Sequence, residues 1–253
     1  MIRRFLLVFA LVSASAFADP LAELAAFSSL KNVDLAKLAG GEVQMGRGPV
    51  MGFPRGLAIE SAYVVKAPVA KVLELQRQWS PAKHSELKVW LHGELPAKPT
   101  PDDFRQLASA PANGPVKSLI AATEKLDPEK PALYLSSAEA RNAKASGEFA
   151  AFWKSVLLAR AQAFSAGGIA RQPAYAWKGG TISAAEEISS LLKEVPKVRA
   201  QFSGLAAALT GGSAPAKTAH YWELFDVEGQ AAISLGATLE KPSATGAQAA
   251  DVQ

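Results

Sequence analysis

Apolar and polar side chains alternate along residues 86–95, and no other stretch constrains the fold as tightly. Leu87, Val89 and Leu91 fall on one side. Glu86, Lys88, Trp90, His92 and Glu94 fall on the other. A period of two marks a strand, and a polar outer side belongs to an antiparallel sheet with one wet face, not to a doubly wound parallel sheet. Residues 57–66 repeat the pattern with Leu57, Ile59, Tyr63 and Val65, and residues 230–239 with Ile233, Leu235, Ala237 and Leu239. Residues 220–227 precede the last strand across a turn at Glu228-Gly229, which makes a hairpin. Its large apolar groups on both sides predict a strand covered on each face.

Between and around these strands the period changes to that of helices. Leu21, Leu24, Ala25 and Phe27 share a face early in the chain, and Asn32 or Asp34 is placed to open a second short helix. Thr100-Pro101-Asp102-Asp103 is a helix start: a cap, Pro in the first turn and acids at the positive end of the dipole. A further helix is predicted over 115–126. The clearest covers 147–166, where Phe149, Phe152, Trp153, Val156, Leu157 and Phe164 form an apolar side and Gly167-Gly168 ends it. Ser183 and Glu186 form a capping box for the next helix, and Pro196 starts another. The expected class is therefore α+β: an antiparallel sheet of few strands (about 57–66, 86–95, 220–227 and 230–239) packed against several amphipathic helices.

Residues 1–18 read as a signal peptide. Arg3 and Arg4 are followed by an apolar stretch at 5–12 and by Ala16-Phe17-Ala18, small residues where a signal peptidase cuts. The expected location is periplasmic or extracellular after cleavage near Ala18. Cleavage removes two cations and no acid, so the formal charge falls from +4 to +2. That near-balance gives no electrostatic footprint for nucleic acid. No later segment has the length and apolarity of a membrane span. Residues 19–240 are expected to form a single α+β domain, any subdivision falling near 140–147. Residues 241–253, rich in Ala, Ser, Thr and Gln, are expected to be a disordered low-complexity tail.

The chain has no Cys and only 3 His, which excludes a disulfide framework, a thiol nucleophile and cysteine-based metal centres. The glycine-rich run Gly46-Arg47-Gly48-Pro49-Val50-Met51-Gly52 lacks the third glycine of a dinucleotide fingerprint, which leaves a structural loop. His84, Glu86, His92 and Glu94 carry metal-ligating side chains, but no metal motif holds them at a recognised spacing, and no cofactor is expected.

Three groups remain as candidate site residues. Lys88, His92 and Glu94 would share the wet side of one strand, where a His beside a carboxylate can act as an oriented general base. Trp90, on that side, would suit stacking on a ligand. Trp153 and Arg160 lie on the aromatic helix, where they could line an apolar cavity and meet a ligand carboxylate, or pack as core and snorkel.

Residues 61–79 also resemble the opening of START-like lipid-binding domains. There a strand, an Ala-Pro turn (here Ala67-Pro68) and a helix precede a loop containing Trp (here Trp79). The resemblance implies a cavity for an apolar ligand. Beyond that stretch the chain departs from it, with helices where that fold has a run of strands.

Taken together, these features predict an exported, soluble, non-catalytic binding protein for a small apolar ligand or a protein partner. The alternatives are a hydrolase using a His/Glu pair on a strand face and a structural or assembly component of the cell envelope. An exposed apolar edge around residues 221–239 would favour the last.

Overall fold

The computed structural model describes residues 19–48, 50–53, 56–211, 217–243 and 246–252. The proposed signal peptide lies outside the described residues. Two short helices come first. Asp19 caps α1 (Pro20–Phe27), and Asp34 caps α2 (Leu35–Ala39) by accepting from the amides of Ala36 and Lys37. A small hairpin follows, β1 (Gln44–Arg47) with β2 (Ile59–Ala62), and then α3 (Val69–Arg77). Strand β3 (Val89–Leu95) leads into a 3₁₀ segment, Pro101–Ser109. Its period of three brings Phe104 and Leu107 to the same side, and both are fully buried.

The central helices are α4 (Gly114–Glu124), α5 (Ser137–Ser146) and α6 (Phe149–Gly167). A second small hairpin, β4 (Tyr175–Trp177) with β5 (Gly180–Ile182), precedes α7 (Ala184–Glu194), α8 (Pro196–Gln201) and α9 (Ser203–Leu209). The chain ends in β6 (Lys217–Val227), β7 (Gln230–Ser243) and β8 (Gly246–Val252).

The class is α+β, and the main sheet is antiparallel with the order β3-β6-β7-β8. Glu228 and Gly229 both have positive φ, the signature of a tight two-residue hairpin turn whose twist matches that of its strands. Trp222, Leu224, Leu235 and Ala237 face the helices. Trp222 and Leu224 join Phe104, Leu107, Val116, Phe152, Trp153 and Leu157 in the principal core cluster. That cluster draws on both sides of 140–147. A second cluster joins Leu205, Ala208 and Leu209 of α9 to Ala237 and Leu239 of β7.

Four expectations change. Residues 57–66 do not enter the main sheet. Only Ile59–Ala62 is a strand, paired with β1, and Leu57, Ile59, Tyr63 and Val65 remain exposed. Glu60 holds that hairpin to the N-terminal helices, accepting hydrogen bonds from Ser28 Oγ and from the amide and hydroxyl of Ser29. Nor does the START-like opening lead into the sheet which that resemblance implies. Second, the strand expected at 86–95 begins only at Val89, because Ser85–Leu87 forms a 3₁₀ turn and Lys88 adopts a left-handed conformation with φ 49°. Third, the expected tail is not left unstructured: β8 pairs with β7 from Ala237↔Val252 to Ser243↔Gly246. Strand pairing uses backbone groups that any composition supplies, so the lack of apolar periodicity did not reveal it. Fourth, only part of 221–239 is an edge: residues 221–225 of β6 are paired with both β3 and β7, whereas β7 is paired with β8 only from Ala237 onward, so among the described residues 230–236 have no strand on that side.

Candidate functional site

The two core clusters leave a gap where they meet. Between α6 and the helix-facing side of β6 and β7 lies a cavity of about 210 Å³, lined by residues of both clusters. Trp153, Val156, Leu157, Ala161 and Phe164 of α6 form one wall, spaced three and four apart as one helix face requires. Leu95 of β3, with Leu235 and Ala237 of β7, forms the opposite one. Tyr134 and Tyr175 also line it, and Tyr134 is exposed, which marks the open side. Tyr134 stacks flat on Trp177 (centroids 5.3 Å apart, 4° between planes) and meets Tyr175 edge-on at 5.8 Å. An aromatic group thus frames the opening.

Few polar groups reach the cavity. Arg160 is buried, and its guanidinium donates to both oxygens of Glu139, so its charge is compensated inside the protein. Its cation also lies over the Tyr175 ring, 4.6 Å from the centroid. Gln172 Nε2 donates to the Arg160 carbonyl oxygen. His220 lies on the helix-facing side of β6, opposite Leu95 and Ala237, and meets the Phe164 ring edge-on at 5.4 Å. Burial lowers its pKa below the usual histidine value.

The sequence-predicted residues separate into two places. Trp153 and Arg160 line the cavity, and Trp153 Nε1 donates to Thr123 Oγ1 at 3.1 Å. The expected row Lys88, Trp90, His92 and Glu94 does not form one patch. A bulge between Val89 and Leu91 shifts the register, and Trp90 packs half-buried against the principal core. Lys88 sits in the turn before it, 3.8 Å from Asp226. Glu94 is exposed opposite Tyr221. His92 does find a carboxylate, but it is Glu223 of the neighbouring strand, with Nδ1 and Oε1 3.0 Å apart.

On this outer face His92, Glu223 and Ser234 stand on three adjacent strands at matched register. The acid is in the middle. A serine triad needs the histidine between acid and hydroxyl, so this order does not supply one. Among the described residues no group of three or more His, Asp or Glu side chains could hold a metal ion. No helix among them is long and apolar enough to cross a membrane.

Among the cavity residues that sequence reasoning did not single out are His220, Gln172, Tyr134 and Tyr175. His220 was legible, since it lies two residues before Trp222 and a strand alternates with period two. Tyr175 depended on the β4–β5 hairpin, whose turn at Lys178-Gly179 has positive φ at both residues but little flanking alternation to announce it. Comparison with family models, with curated proteins and with solved structures finds no match, so the role of this chain rests on its geometry alone.

Proposed function

We propose that this protein binds a small, largely apolar molecule in the cavity between α6 and the sheet, and that it does so outside the cytoplasm after losing residues 1–18. One observation carries the binding reading: a cavity of about 210 Å³ whose walls are chiefly aliphatic and aromatic, with an aromatic frame at its open side. Packed cores rarely leave space of this size, and apolar cavities of about 150 Å³ stay dry and take up benzene. The arrangement, apolar walls with a few placed polar groups, is that of small-molecule sites in general, at the small end of their range. The export reading is supported by the Arg3-Arg4 pair, the apolar stretch after it and Ala16-Phe17-Ala18.

Ala184, in the first turn of α7, lines the cavity and is only half-buried, so a larger side chain there would enter the space without dismantling the core. Native mass spectrometry and thermal shift on residues 19–253 test the reading. The wild type is expected to retain a small molecule or to be stabilised by toluene or indole, and Ala184→Trp to lose that response while staying folded. A wild type that carries nothing and does not respond to either probe overturns it. N-terminal sequencing of the exported protein tests the cleavage site separately.

A further inference from the structure

We infer that the ligand of this cavity is uncharged and carries a hydroxyl or similar hydrogen-bonding group that meets the imidazole of His220; the inference rests on the cavity being the binding site. The polar groups on its wall differ in what they have left to offer. Arg160 is matched by Glu139 through two hydrogen bonds of 2.8 and 2.7 Å, and a ligand carboxylate would have to compete with a carboxylate already in place. The Gln172 amide nitrogen is engaged by the Arg160 carbonyl oxygen. His220 is different. Its ring packs edge-on against Phe164, and among the described residues neither ring nitrogen has a hydrogen-bond partner. It projects from the central strand β6 to the helix side, in line with Trp222 and Leu224, among apolar neighbours.

A half-buried imidazole in such surroundings costs free energy unless something pairs with it. Burial favours its neutral form, which offers one donor and one acceptor and no charge. With no uncompensated charge among the lining residues, a carboxylate or ammonium ligand would give up its hydration without recompense. The best-matched occupant is a compact ring or short chain, somewhat larger than benzene, with one hydroxyl, phenol or neutral carbonyl.

Three probes of similar size separate the possibilities: toluene, 4-methylphenol and benzoate, titrated by NMR at pH 8 into wild type, His220→Phe and His220→Gln. The wild type is expected to bind 4-methylphenol about five- to tenfold more tightly than toluene, the effect of one added hydrogen bond, and benzoate most weakly. His220→Phe should erase that preference and leave toluene binding in place, while His220→Gln should restore part of it. Nitrogen chemical shifts of the His220 ring, moved by 4-methylphenol and not by toluene, make the same distinction without a variant, should either fail to fold. A preference unchanged in His220→Phe, or benzoate binding as tightly as 4-methylphenol, overturns this inference and leaves the cavity reading standing. If none of the three binds the wild type at millimolar concentration, the cavity reading falls and this inference with it.

Discussion

Arg160 of α6 donates to Glu139 of α5 with Nε and Nη2, while the same carboxylate accepts from the amide and hydroxyl of Ser136. One side chain therefore closes the capping box of α5, fixes α5 to α6 and neutralises a cation beside the cavity. Removing the acid alone strands a buried guanidinium. Glu139→Ala is expected to cost about 3–5 kcal/mol in urea unfolding, and Arg160→Met clearly less, because it removes the charge and keeps the packing. The double variant should resemble Arg160→Met. Equal costs for the two single variants would show that the pair is not coupled in this way.

Gly93 and Trp222 face each other across β3 and β6, and a Cβ on Gly93 would come within 2.3 Å of the indole nitrogen. The indole cannot easily give way: Trp222 is fully buried, packs 6.0 Å from Phe104 and donates to the Asp103 carbonyl oxygen. Alanine usually suits a strand better than glycine. Here Gly93→Ala is instead expected to destabilise by about 1–3 kcal/mol, the usual cost of overpacking. A double-mutant cycle checks the cause, since the cost should shrink in a Trp222→Phe background.

His220 and Glu60 give stability a pH dependence in separate windows. The folded pKa of His220 lies below its unfolded value of about 6.5, so the unfolded chain binds a proton that the folded protein does not. Its neutral form is favoured fully above that value, and stability declines as pH falls below it. Burial pushes the Glu60 carboxyl up, but the hydrogen bonds from Ser28, Ser29 and Leu30 outweigh it and leave the pKa lowered. Its contribution is therefore present above 4.5 and is lost only at lower pH. Unfolding free energies at pH 8.0 and 5.5 should differ less in His220→Phe than in wild type. An unchanged difference would remove His220 as the source.

Regular elements were legible wherever one periodicity held long enough. The apolar stripe of α6, its glycine stop, the β6–β7 hairpin and the cap Ser183 all follow from local chemistry that the residues state themselves, whereas the choice between Asn32 and Asp34 as the cap of α2 is made by the fold. What stayed hidden depends on partners distant in the chain. The alternation at 57–66 resembles that of a sheet strand, yet β2 is claimed by β1 and by the serines at 28 and 29. The pattern at 86–95 suggested one wet row, and a single bulge together with the left-handed Lys88 dispersed it. The sequence pattern set His92 beside Glu94 of its own strand, but the carboxylate that His92 meets is Glu223. That partner is 131 positions away, and no local spacing could have named it. The cavity itself arises from two clusters that fail to meet, a property of volumes that sequence patterns do not encode.

Ser234 offers the last test. Its side chain stands on the sheet face opposite that of Leu235 and Ala237. The hydroxyl is buried, has no hydrogen-bond partner among the described residues and lies across from Glu223 at matched register. A buried hydroxyl that loses water and gains nothing in return typically costs about 1–3 kcal/mol. Ser234→Ala deletes only that oxygen, so it is expected to stabilise the protein by about 1 kcal/mol, part of the gain being offset by the small void left behind. Ser234→Thr keeps the hydroxyl and adds a methyl, and should be less stable than either. Chemical denaturation of the three proteins decides it: a wild type more stable than Ser234→Ala would mean that the hydroxyl has a partner, and the row His92, Glu223 and Ser234 would then need a role of its own.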